Sequence, residues 1–197
     1  MKTNLMVMCA CLFTCTTVPG SGIEPVVSSE LIGHWTFDEL EQGAFVGSGE
    51  VGLEAKAIRS IGVAEGIFGA GAYLEGKPVL RVNAHEAFGN LAEIAISAWV
   101  SPQALSGYRE ILRKEDGDRR ILFSFQNNGQ VLSLGLNIEG SGYGELDARI
   151  NPAQLIDQQW HHVAGTFDGK TMRVYLDGRA VGSLERPGRI RSGGKAP

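Results

Sequence analysis

The chain has 197 residues, 43% of them hydrophobic and 20% charged, with 27 glycines and a formal net charge of −4. That length suits one β-sandwich or barrel domain, the ordinary hydrophobic content excludes a disordered polymer, and the glycine count points to a turn-dense all-β chain. The acidic balance excludes the broad basic surface that nucleic acid or an anionic membrane attracts.

Residues 1–22 read as an export signal. Lys2 supplies the positive start, Leu5 to Val18 the apolar stretch, and Gly20-Ser21-Gly22 the small residues of a cleavage site. Cleavage there removes one of the 18 basic residues, leaving 17 against 22 acidic, a net charge of −5. The expected location is secreted, periplasmic or cell-envelope, and no later run is long and apolar enough to form a transmembrane segment. Cys9, Cys11 and Cys15 all fall inside this stretch, so a domain starting at residue 23 has neither disulfides nor thiolate metal sites. Leu12-Phe13-Thr14-Cys15 approaches a lipoprotein cleavage box, with Thr14 where that box uses Gly, Ala or Ser. Lipidation of Cys15 is the alternative to simple apolar filling.

From residue 23 the predicted elements are short strands. Leu31 to Glu39 is the first, and Gly43 to Gly66, rich in small residues and aperiodic, reads as a long loop. Strands follow at Gly69–Gly76, Val79–Val82 and Ile94–Pro102, the last ended by a proline that cannot donate to a ladder. Ile111-Leu112, Ile121–Phe125 and Val131–Ile138 continue the series. In Val131–Ile138, Leu132, Leu134, Leu136 and Ile138 alternate with Ser133, Gly135 and Asn137, which predicts one buried face. The single helical signal is a turn at Pro152–Leu155.

The strongest hairpin signal is Trp160 to Phe167, then Asp168-Gly169, then Thr171 to Leu176, closed by Asp177-Gly178. A two-residue turn at Asp168-Gly169 predicts Val163 opposite Val174 and Gly165 opposite Met172, with Phe167 on the same core face. Trp160, His162, Thr166, Arg173 and Tyr175 occupy the other face, where His162 and Tyr175 are expected to form a structural pair. The class is all-β: eleven or twelve strands in two packed antiparallel sheets.

Gln159-Trp160-His161-His162-Val163-Ala164, Thr166-Phe167-Asp168-Gly169 and Val174-Tyr175-Leu176-Asp177-Gly178 together resemble the signature of laminin-G-like jelly-roll domains, in the concanavalin A-like lectin/glucanase superfamily. Gly69-Ala70-Gly71-Ala72-Tyr73-Leu74-Glu75-Gly76 and Ser97-Ala98-Trp99-Val100-Ser101-Pro102 resemble further submotifs of that family. The resemblance covers Leu31 to Leu184, so residues 23–184 form the domain and residues 185–197 a basic, glycine-rich tail. It implies a jelly-roll sandwich and, in many members, calcium at the sandwich rim. It also implies a closing strand beside the first, after Leu184, which is not legible in residues 185–197. The expectation is therefore a fragment, or a domain whose missing strand another chain supplies, with Leu31 to Phe37 left unpaired.

Because the superfamily contains glucanases, catalysis has to be tested on residues. Retaining glycosidases need two carboxylates about 5 Å apart. The nearest pattern is Glu145-Leu146-Asp147-Ala148-Arg149, whose third position is a cation expected to pair with Asp147. Adjacent His161 and His162 point to opposite strand faces and cannot chelate one metal together. Asp116 and Asp118, around Gly117, are the weak calcium candidates, short of the oxygens a calcium loop needs. For glycan binding, which needs an exposed aromatic beside polar groups, the candidates are Tyr143, placed on a flexible Gly140–Gly144 loop, and Tyr108-Arg109. Trp99, Trp160, His162, Phe167, Asp168, Gly169, Tyr175, Asp177 and Gly178 read as structural. The reading is a non-catalytic module binding glycan or extracellular protein, with a spacer domain of a larger envelope protein as the alternative and a glycan-cleaving enzyme last.

Overall fold

The computed structural model describes residues 4–13, 31–48, 52–76 and 79–197. Its strands are β1 (Asn4–Phe13), β2 (Leu31–Trp35), β3 (Ala44–Val46), β4 (Glu54–Ala57), β5 (Gly62–Glu65), β6 (Ala70–Glu75), β7 (Leu80–Val82), β8 (Ile94–Pro102), β9 (Arg109–Asp116), β10 (Arg119–Gln126), β11 (Val131–Ile138), β12 (Gly142–Arg149), β13 (His161–Phe167), β14 (Thr171–Leu176) and β15 (Arg179–Glu185). One sheet runs β15-β14-β13-β8-β1-β6-β5, with β2 also on β1. The facing layer is in two pieces, β12-β11-β10-β9 and β3-β4-β7. Every ladder is antiparallel.

Period-two sequence builds the layers. In β8, Ile94, Ile96, Ala98 and Val100 are buried and the residues between them half-buried, so one face enters the core. Phe123, Phe125, Leu132, Leu134 and Leu136 from the facing sheet meet Val163, Phe167, Met172 and Val174 in the same cluster. Each such side chain contributes about 1.5–3 kcal/mol by leaving water. β11 departs from its predicted pattern: Ser133 and Asn137 are buried along with the leucines, Ser133 donating to Asp147 and Asn137 to the Asp118 carbonyl.

Several expectations are corrected. The region read as a loop, Gly43 to Gly66, contains β3, β4 and β5, strands of only three or four residues, too short to show a period. In the β13–β14 hairpin Val163 faces Leu176, Gly165 faces Val174 and Phe167 faces Met172. The turn is therefore longer, with Asp168 Oδ1 accepting from the Lys170 and Thr171 amides at 3.0 and 2.7 Å. A slip of two residues keeps every side chain on its predicted face. The true two-residue turn is Asp177-Gly178, both at positive φ, with Leu176 opposite Arg179. Pro152–Gln154 forms the expected helical turn, as a 3-10 helix capped by the Asn151 side chain.

Leu31 to Trp35 is not left without a neighbour. It pairs with β1, which lies between β8 on one side and β2 and β6 on the other. β1 falls within the stretch read as an export signal; Cys15, the cleavage site Gly20–Gly22 and Gly49–Val51 lie outside the described residues. Residues beyond Glu185 do not hang free either. Ile190 is 2% exposed and bridges Ile138, and Arg186 donates to the carbonyls of Ser141 and Gly142 at 2.9 and 2.8 Å.

Candidate functional site

In the β9–β12 sheet the apolar alternates face the core, so the residues between them form the opposite surface. Arg120, Ser124 and Gln126 come from β10, Ser133, Gly135 and Asn137 from β11, and Tyr143, Glu145, Asp147 and Arg149 from β12. Of these, Ser124, Gln126, Ser133 and Asn137 are buried, and β9 adds Glu110, Arg113 and Glu115 along the rim.

One network organises this face. The Tyr143 hydroxyl donates to Glu145 Oε1 at 2.5 Å, and Gln126 Nε2 donates to Glu145 Oε2 at 3.1 Å and to Ser124 Oγ at 3.3 Å. Ser133 Oγ donates to Asp147 Oδ1 at 2.7 Å. The Arg120 guanidinium sits 4.3 Å from the Tyr143 ring centroid and 3.7 Å from Glu115, which also pairs with Arg113. Burial and the neighbouring Glu145 carboxylate push the Tyr143 phenol well above its ordinary pKa, so it stays a donor.

Tyr143 thus lies in a strand, opposite Asn137, and not on a flexible loop. Its ring passes over Gly135, where a Cβ would run into the hydroxyl and come within 2.9 Å of Cζ. The expected Arg149–Asp147 ion pair is absent among the described residues, and Asp147 takes its hydrogen bond from Ser133. Arg120, Gln126 and Ser133 were missed. Their signal was the polar alternate positions of β10 and β11, which pattern reading assigns to solvent.

The other candidates lie elsewhere. Tyr108 is 67% exposed at the start of β9, beside Arg109, at the mouth of a separate apolar cavity. Asp116 Oδ2 accepts the amides of Lys195 and Ala196 at 2.6 and 3.2 Å, which hold its pKa below the ordinary value, and Asp118 pairs with Arg191. With their oxygens on tail amides and an arginine, these residues do not fit a calcium ion. Among the described residues no group of three or more acidic, His or Cys side chains converges on a metal position.

Of the structural candidates, Phe167 is fully buried, and Asp168 pairs with Arg173 at 2.6 Å beside Gly169, which is at positive φ. The Arg173 hydrogen bond lowers the Asp168 pKa to about 2. Trp99 is half-buried on the outer face of β8, and His162 packs on it with ring centroids 5.1 Å apart. The expected His162–Tyr175 pair is replaced by this contact, and Tyr175 stands opposite Ala164. Trp160 is half-buried just before β13. Asp177 accepts the His162 amide at 2.9 Å, and its other oxygen lies 2.9 Å from His161 Nδ1 while Asp157 lies 3.1 Å from Nε2. Burial opposes a charge on His161, but the hydrogen bonds to Asp177 and Asp157 outweigh it and raise the pKa. At His162 burial prevails and lowers it.

The sheet order, the antiparallel ladders and the single core between two layers define a β-sandwich of jelly-roll type. The chain belongs to the concanavalin A-like lectin/glucanases superfamily, whose laminin-G-type description matches residues 74–197. Among solved structures it is similar to the binding domain of Paraclostridial Mosquitocidal Protein 1, with a TM-score of 0.53 and 11% identity, over 79% of this chain and 43% of that one. It is also similar to domains LG4-5 of the mouse laminin alpha1 chain, with a TM-score of 0.42 and 10% identity, over 99% of this chain and 74% of that one. The chain thus spans less than half of the clostridial structure. No curated protein matches it. Among the described residues no helix is long and apolar enough to cross a membrane.

Proposed function

We propose that the protein is a non-catalytic binding module that recognises glycan through the outer face of β9–β12, in a secreted or cell-envelope setting. The observation that carries this reading is the network around Glu145, in which a carboxylate, an amide and a phenol are held in fixed orientation beside the Ser133–Asp147 pair. Sugar hydroxyls are recognised by such adjacent, pre-oriented donors and acceptors, because little side-chain entropy is then lost on binding. Asp147 and Arg149, both exposed, supply the reachable rim. The similar clostridial domain is itself named as a binding domain.

The carboxylate arrangement supports a non-catalytic role. Glu145 and Asp147 succeed each other on one strand, with Arg149 where the glucanase-like pattern places a third carboxylate. Both Glu145 oxygens are engaged by Tyr143 and Gln126, so neither stands free to deliver a proton.

The test is a glycan array and a panel of extracellular matrix proteins probed with the full chain. Glycan signal that disappears in Asp147→Asn, at an unchanged melting temperature, supports the reading. Signal confined to matrix proteins moves the ligand class, and silence on both favours the spacer module. Release of reducing sugar that is lost in Glu145→Gln overturns the non-catalytic assignment. N-terminal sequencing of exported protein, expected to start near Ile23, tests the location.

A further inference from the structure

A cavity of about 660 Å³ opens between the two pieces of the second layer, within the range of ligand pockets. Its floor includes Ile32, Trp35 and Ile94, and its two walls are β7, through Leu80 and Val82, and β9, through Leu112 and Lys114. β7 ladders only with β4, and β9 only with β10. Among the described residues, each therefore turns an unpaired backbone edge toward the same apolar cleft. An apolar cavity alone fits many greasy molecules; one bounded by two free strand edges fits a polypeptide, because only an extended backbone satisfies both rows of amides and carbonyls.

The mouth already holds a stretch of backbone, through side chains of β9. Residues 195 and 196 donate their amides to Asp116 at the end of β9, Lys114 Nζ donates to the Ala196 carbonyl at 2.5 Å, and Pro197 reaches the cavity wall. Arg109 Nε, at the other end of β9, is buried with no hydrogen-bond partner among the described residues, an unused donor for an incoming carbonyl or carboxylate. Tyr108 beside it is exposed to cover the entrant chain.

We infer that the cleft between β7 and β9 is a strand-acceptor site that takes an extended segment of another polypeptide, apolar at alternate positions, as an added strand between the two edges. Its inward side chains would lie between Leu80, Val82 and Leu112 and fill the cavity, while its backbone joins the two pieces into one continuous layer. The cleft shares β9 and its residues Glu110 and Arg113 with the rim of the glycan face, but none of Gln126, Ser133, Tyr143, Glu145 or Asp147 lines it, so the two proposals are tested by different variants.

The experiment uses the full chain and a fluorescein-labelled octapeptide alternating valine and threonine, beside the same peptide N-methylated at alternate amides. The expected result is saturable binding of the first and at least tenfold weaker binding of the second, because methylation removes ladder donors and keeps apolar surface. Hydrogen exchange should slow across Arg109–Asp116 and Leu80–Val82 when the first peptide is added. Equal binding of both peptides, or uptake of oleate with no peptide binding, overturns the proposal in favour of an apolar pocket. Protection of Arg109–Asp116 that rises with protein concentration alone overturns it in favour of a second copy.

Discussion

Gly135→Ala is the most direct probe of the polar face, because the added methyl has nowhere to go. It would collide with the Tyr143 hydroxyl, lie 2.9 Å from Cζ and 3.2 Å from Glu145 Cγ, and the ring is held from its other side by Arg120. Overpacking of this kind costs about 1–3 kcal/mol. If the ring swings out instead, the loss is its hydrogen bond to a carboxylate, about 1.5–3 kcal/mol, with about 0.5–1 kcal/mol of cation–π attraction. The first route gives a destabilisation of about 1–3 kcal/mol and the second about 2–4 kcal/mol, equivalent to a fall in melting temperature of roughly 2–16 °C for a chain of this size. Thermal melts of the single variants and of Gly135→Ala/Tyr143→Ala measure the coupling. With the ring removed the methyl should cost less than about 0.5 kcal/mol, within the range of an ordinary surface change. An equal cost in both backgrounds would refute the account of Tyr143 lying over Gly135.

The two neighbouring histidines should titrate apart by NMR, His161 above the ordinary value of 6.5 and His162 below it. Charged His161 stabilises the fold fully below its unfolded pKa and loses that contribution as pH rises through the folded one. Asp177→Asn should therefore cost more stability at pH 5.5 than at pH 8.5, and a reversed order of the two resonances would refute the assignment. Asp168, held near 2 by Arg173, stabilises above its unfolded value and loses this as pH falls toward 2. The melting penalty of Asp168→Asn should vanish between pH 4 and pH 2, and a pH-independent penalty would place its whole effect in the turn. Trp35→Ala should cost about 3–5 kcal/mol, more than Trp99→Ala or Trp160→Ala, because Trp35 is 4% exposed and donates to the Leu53 carbonyl at 2.9 Å. Melting temperatures ranked the other way would show that the packing role is misassigned.

The layers were legible wherever period-two patterning was strong. β8 and β13 could be read from their own residues, because alternate burial over nine and seven residues leaves a plain trace, while the alternation of leucines with small polar residues in β11 gave its place but not its burial on both faces. β3, β4 and β5 could not: three or four residues such as Glu54–Ala57 carry too few apolar positions to show a period, and their pairing is fixed by distant partners. The hairpin register was misplaced by two because the Asp168 side chain, through its bonds to the amides of residues 170 and 171, builds a wider turn than Asp-Gly alone implies. At the candidate site, Tyr143 and Glu145 were visible as residue types. Their association was not, since it depends on Gln126 and Arg120 two strands away and on the missing Cβ of Gly135.

A leader role and a strand role for the N-terminal segment exclude each other in one molecule. As a leader, residues 1–22 leave with cleavage; as β1, Asn4–Phe13 pairs along β8 from Ala95 to Pro102 and ties that strand to β2 and β6. Without β1 the large sheet divides at its middle, with β8 open along one edge and β2 and β6 open opposite it, over Ile32, Ile96, Ala98 and Val100 of the core. Long unpaired edges above apolar side chains recruit other strands. A chain starting at Ile23 should therefore elute as oligomers in size-exclusion chromatography with light scattering, and its Ile94–Pro102 amides should exchange faster than in the full chain at equal concentration. Appending a strand of alternating apolar residues after residue 197 should restore a monomer with slow exchange. A chain from Ile23 that is already monomeric and protected through Ile94–Pro102 would show that some segment other than β1 closes the sheet when residues 1–22 are removed.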